Sequence, residues 1–227
     1  ALLARRMYGL LRFLLGQHDA AVGHYQWVLA NYDEGRHAAL RFAYASDQAA
    51  LTYSHLAWCH ALRGRSGDFQ PMADAALAHS ERLGHAHTSA HTVCVLAAAY
   101  ISAGEPDGAI PLAVAGRAIA QRYGFPYWSA WSAIMLAAAE CRSSAAAGST
   151  AIETAIRSYE AVGARQALPF AFRLLGDHLL AAGRTTDALT AINIGLRHAR
   201  ETGISAFTPE LRQLLREATS RPLRPRP

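Results

Sequence analysis

"SAGEPDGAIPLAVAGRAIAQRYGF" (Ser102–Phe125) and "AAGRTTDALTAINIGLRHARETGI" (Ala181–Ile204) draw one outline twice, 79 residues apart. Each opens on a small residue and Gly, places Asp-x-Ala or Asp-Ala before an aliphatic residue, and closes on Gly. Two interleaved series extend the pattern. Gly84, Gly124, Gly163 and Gly203 are spaced by 40, 39 and 40 residues, each after a helical stretch. Gly just past a helix end accepts the left-handed backbone that a Cβ resists. Gly64, Gly104, Ser143 and Gly183 keep the same spacing and mark a turn inside each unit. Two series with one period describe a repeated helix-turn-helix, in which neighbouring hairpins cover one another's apolar faces.

Five residues past the turn a small residue lets the second helix approach the first: Ala21 after Gly16, Ala109 after Gly104, Gly148 after Ser143, Ala188 after Gly183. Phe69 after Gly64 breaks the rule, inside the rebuilt stretch "RGRSGDFQPMADAA" (63–76), where Pro71 is expected in the first turn of its helix. The predicted fold is all-α: a right-handed α-solenoid of about five hairpins with a period of about 40 residues. "TPELRQLLREA" (208–218) is its capping helix, with Leu211, Leu214, Leu215 and Ala218 on one stripe. Residues 1–219 are expected to form one superhelical domain and 220–227 a Pro/Arg tail unable to fold alone.

Composition agrees. The chain is 52% hydrophobic and 17% charged, and Ala, the best helix former, leads the apolar share. Of the net charge of +5, three units belong to Arg221, Arg224 and Arg226, leaving +2 for the body. Arginines are scattered and form no basic stripe, so direct nucleic-acid binding is not expected. All 22 basic side chains are Arg, which excludes a Walker A lysine and any Schiff-base chemistry. Three scattered cysteines fit reduced thiols and a cytoplasmic protein. The apolar runs fall short of the ~20 residues a bilayer span needs. The opening "ALLARRMYGLLRFLLG" reads as a helix, without an initiator Met, in a fragment of a longer protein.

The Gly and small-residue pairs resemble tetratricopeptide repeats, with a longer period than that family's 34 residues. A sharper likeness lies in "NYDEGRHAALRFAYASDQAALTYSHLAWCHALRG", at Tyr32, Asp33, Arg36, His37, Leu40, Phe42, Tyr44, Asp47, Leu56, Ala57, Trp58 and Gly64. "YGFPYWSAWSAI" and "VGARQALPFAFRLLGDHLLAAGR" extend it, from about residue 5 to 219. These stretches resemble the tetratricopeptide-like C-terminal region of bacterial multidomain STAND-type signalling ATPases, which carry a class III cyclase or a LuxR-type DNA-binding domain. The resemblance implies a regulatory scaffold that holds a protein or peptide in a concave groove, or packs on its own ATPase domain. Cyclase and ATPase residues lie outside this chain, and no cofactor is implied.

Candidate sites follow from the residues. His87, His91 and Cys94 stand at i, i+4 and i+7, a spacing that can present nitrogen and sulfur to zinc. The same spacing fits a histidine-rich helix start with Cys94 packed as a small hydrophobe. Catalysis is not expected: no nucleophile elbow appears and the 17 acidic residues are dispersed. In "YDEGRH", Asp33 can cap or pair with Arg36 and His37, and Asp47 can anchor the next helix, as a clasp between hairpins or as a binding surface. Tyr53, Trp58, Tyr127, Trp131 and Arg173 fall on first helices, where they can line a groove or pack between repeats. Three functions result: a non-catalytic protein- or peptide-binding scaffold, the small-inducer sensor region of a transcription activator, and a zinc-binding module or enzyme.

Overall fold

The computed structural model describes residues 1–141 and 145–220, and among them every regular element is a helix. The first hairpin is α1 (Leu2–Leu14) and α2 (His18–Asn31). A connection holding the single turns α3 (Glu34–His37) and α4 (Leu40–Ala43) leads to α5 (Gln48–Leu62) and α6 (Ser66–Leu83). Then come α7 (Ala86–Ser102) and α8 (Pro106–Tyr123), α9 (Pro126–Glu140) and α10 (Ala145–Ala161), and α11 (Leu168–Ala181) and α12 (Thr185–Thr202). Helix α13 (Thr208–Ser220) closes the order. The chain gathers into two compact units, Ala1–Leu136 and Ala137–Pro227.

The glycine period is the backbone geometry. Gly64, Gly104 and Gly183, and Gly84, Gly124, Gly163 and Gly203, all hold φ between +58° and +81°. Ser143, the remaining member of the turn series, lies outside the described residues, as do 221–227 of the expected tail; Ser220 is the last residue of α13. The small residues work as expected: Ala21, Ala109 and Ala188 have no exposed surface. A Cβ on Gly148 would meet Cys141 Sγ at 2.6 Å.

At Phe69 the structure explains the departure. Its ring is buried and meets Tyr100 edge-on with centroids 4.9 Å apart. Gly108 also makes room for Tyr100, since a Cβ there would stand 2.6 Å from that ring. A large residue on α6 and a missing side chain on α8 thus both fit Tyr100. Pro71 is not in the first turn, contrary to the sequence reading: α6 begins at Ser66 and Pro71 lies inside it. An early start puts Phe69 on the helix, and the Gly67 carbonyl that Pro71 cannot serve is on an exposed face, open to water.

In the first unit the core centres on Phe13, Tyr25, Phe69, Leu96 and Ile134, all 2% exposed or less. In the second it centres on Ile152, Tyr159, Leu168, Phe170 and Ile192, with Phe170 against Phe207 at 4.7 Å. Leu211, Leu214 and Ala218 of α13 are buried as its stripe requires, and Leu215 is half-buried. Cys59, Cys94 and Cys141 are buried free thiols; burial pushes the first two up to about 12 and the third to about 11. Among the described residues no helix is long and apolar enough to cross a membrane.

Close packing gives a direct test at Gly116 on α8. A Cβ there would lie 2.7 Å from both Cys94 Sγ and Ser132 Oγ. Gly116→Ala is expected to lower stability by about 1–3 kcal/mol through overpacking, against the ~1 kcal/mol that Ala gains over Gly in a helix. A urea midpoint that rises in this variant would show that α8 does not pack this closely.

Candidate functional site

The connection between the first two hairpins is organised around one carboxylate. Asp47 has no exposed surface and is the N-cap of α5. Its Oδ1 accepts from the backbone N–H of Ala49 and of Ala50 at 3.0 Å, and from His79 Nε2 at 2.9 Å. Its Oδ2 accepts from the Tyr32 hydroxyl at 2.6 Å, and its own N–H donates to Thr88 Oγ1 at 2.9 Å. Burial pushes the Asp47 carboxyl up, but the bonds from His79, Tyr32 and the Ala50 amide outweigh it and hold it below its ordinary value.

The network reaches the surface. Arg82 Nη1 donates to Glu34 Oε1 at 2.7 Å and Nη2 to His79 Nδ1 at 3.0 Å. A guanidinium only donates, so His79 Nδ1 is the acceptor and its proton sits on Nε2, facing Asp47. Asp33 caps α3 by accepting from Arg36 N at 3.0 Å, and its own N–H donates to His37 Nδ1 at 3.0 Å. Arg36 is exposed and His37 half-buried at the outer end of this arrangement. The segment ties the start of α5 to α6 and α7 by named hydrogen bonds, in the manner of a clasp.

Beside the turn of the second hairpin, α2, α5 and α6 enclose an open cleft of about 390 Å³. Its lining includes apolar Val22, Leu56 and Met72 and polar His60, Arg63, Arg65 and Asp68. Arg63 pairs with Asp19, while His60 Nδ1 stops 3.8 Å from Asp68 Oδ2, beyond hydrogen-bond range. Burial pulls the His60 imidazole below its ordinary value.

The histidine and cysteine candidates are each engaged with other side chains. His87 Nε2 accepts from Trp128 Nε1 at 3.1 Å, so Nδ1 carries the proton and donates to Ser46 Oγ at 2.7 Å. His91 lies edge-on to Trp128 at 5.0 Å, and Cys94 Sγ pairs with Ser132 Oγ at 3.1 Å. Among the described residues no three His, Cys, Asp or Glu side chains converge as a metal set.

Of the aromatic candidates, Trp58 and Trp131 are core residues, each 4% exposed. Trp58 Nε1 donates to Ser102 Oγ at 2.9 Å and Trp131 Nε1 to the Cys94 carbonyl at 2.8 Å. The two rings meet edge-on at 6.0 Å. Tyr53 and Tyr127 keep half-exposed positions at the margin, near His79 and against Trp128 respectively. Arg173, in the second unit, lies 5.0 Å over the Phe170 ring; burial lowers its guanidinium, opposed by Asp177 and Glu210.

Sequence reasoning singled out His91 only as a zinc candidate and missed that it joins Arg6, Tyr25 and His55 as buried polar side chains in the first unit. Burial pulls His55 down to about 4 and His91 well below its ordinary value, so both are neutral imidazoles at pH 7. Polar residues at core positions of a helix do not disturb its apolar period, so spacing alone carried no signal for them.

No protein-family model and no curated protein matches the chain. Among solved structures the chain is similar to RapI in its apo form, with a TM-score of 0.58 at 13% identity. The match covers 96% of this chain and 82% of that one. The likeness is one of fold and supports the helical-hairpin architecture.

Proposed function

We propose that this chain is a non-catalytic, helical-repeat scaffold that binds a protein or peptide, in the regulatory region of a bacterial STAND-type signalling ATPase, in the cytoplasm. The observation that supports binding is the cleft among α2, α5 and α6. An apolar lining of Val22, Leu56 and Met72 beside the exposed Arg65 suits a peptide with one apolar anchor next to an acidic residue. The ATPase context, with a linked cyclase or DNA-binding effector, rests on the sequence resemblance of "NYDEGRHAALRFAYASDQAALTYSHLAWCHALRG" and the two later stretches alone.

The test is selection of displayed random peptides on the folded chain. Enriched peptides are expected to carry an apolar residue next to Asp or Glu, and Met72→Glu should weaken them at least tenfold, about 1.4 kcal/mol. Met72 is half-buried, so the substitution is expected to spare the fold. Selection that enriches no sequence, or binders indifferent to Met72→Glu, would remove the cleft from the reading. The small-inducer sensor of a transcription activator is the second reading, favoured by the unpartnered polar groups buried in the first unit.

A further inference from the structure

Arg6 of α1, Tyr25 of α2, His55 of α5 and His91 of α7 are 8%, 1%, 7% and 9% exposed. Their rings follow one another: Tyr25 to His55 at 6.0 Å and His55 to His91 at 5.3 Å. The Arg6 charge acts on all three. Four helices therefore bring one cation, one phenol and two imidazoles together in the interior.

Three of these groups have polar atoms without partners. Arg6 Nε, the Tyr25 hydroxyl and His91 Nδ1 are buried and make no hydrogen bond. Arg6 Nη2 reaches Met7 Sδ at 2.8 Å, but a thioether is a weak acceptor. Among the described residues no carboxylate forms an ion pair with Arg6. An interior guanidinium without a counter-ion is costly, and interiors keep such groups paired. Neither neighbouring imidazole is an anion, so among the described residues nothing supplies the balancing charge.

The chemistry selects the ligand. With both histidines neutral, the row carries a single positive charge, which one negative charge balances. A guanidinium fork matches a planar carboxylate, and the unpartnered Tyr25 phenol and His91 imidazole offer further hydrogen-bonding groups in the same row. We propose that Arg6, Tyr25 and His91 form a buried site for a small carboxylic acid bound as its monoanion. The site deepens the small-inducer reading and is separate from the peptide cleft.

The probes are sodium acetate, butyrate and benzoate, with the corresponding amides and inorganic phosphate alongside, read by thermal unfolding and by the histidine side-chain nitrogen resonances. A binding carboxylate at a hundred times its dissociation constant should raise Tm by roughly 5–10 °C and shift His91 Nδ1. Tyr25→Phe keeps the ring and should weaken binding about tenfold. Arg6→Met puts an apolar side chain where an uncompensated charge lay; it should fold with an equal or higher Tm and lose the response. Met72→Glu should leave the response intact.

If no carboxylate moves Tm or His91, or if Arg6→Met and Tyr25→Phe respond like the unsubstituted chain, the site does not exist. Amides that act as well as the acids would overturn the anion and leave the small-inducer reading standing. Phosphate acting better than every carboxylate would overturn the choice of ligand class.

Discussion

Asp47→Ala is expected to lower the stability of the protein by about 3–5 kcal/mol, the range for breaking a buried ionic group out of its partners. Two of the lost bonds are the N-cap of α5, worth about 1 kcal/mol in the usual case. The rest comes from leaving the part-buried Tyr32 hydroxyl and His79 Nε2 without their acceptor. For a chain of this length such a loss corresponds to roughly 10 °C in Tm. Tyr32→Phe, which removes one donor, should cost about 1 kcal/mol. The carboxyl lies below its ordinary value, so its contribution is present above about pH 4 and is lost as pH falls through the lower folded value. Urea denaturation of both variants checks the scale. A loss under about 1 kcal/mol for Asp47→Ala would mean that the clasp does not organise this connection.

The second large effect is acid lability that begins well before carboxylates titrate. His55 is held at about 4, against an ordinary value near 6.5. A base with a depressed folded value binds its proton more readily when unfolded, so stability is full above about 6.5 and falls toward about 4. His55 alone accounts for about 3 kcal/mol over that window, and His91 adds in the same direction. The denaturation midpoint should therefore fall steadily across this range, and His55→Leu should flatten the profile. A midpoint that is level between pH 6.5 and 4 would contradict neutral, buried imidazoles.

What the sequence disclosed tracks how local each feature is. A left-handed residue after a helix needs nothing beyond its own backbone, so Gly84, Gly124, Gly163 and Gly203 announced the hairpins directly. N-caps are also local, and Asp33 and Asp47 read correctly as helix starters. The boundary of α6 was not local. It depends on Phe69 reaching Tyr100, a contact between helices, and the Pro71 rule of thumb misplaced it. Trp58 and Trp131 share a spacing that serves core and groove alike, and only packing decided for the core. Arg6, Tyr25, His55 and His91 are far apart in sequence, and no motif connects positions that only the fold assembles.

The three buried thiols turn the protein into its own set of stopwatches. Thiolate is the reacting species, so a sulfhydryl held near 11 or 12 and shielded from solvent is inert until its surroundings open. The rate at which a maleimide or disulfide reagent captures each cysteine then reports the frequency of that opening. Cys59 and Cys94 time the first unit and Cys141 the second, which allows the fluctuations of the two to be followed separately in one sample without introducing a cysteine.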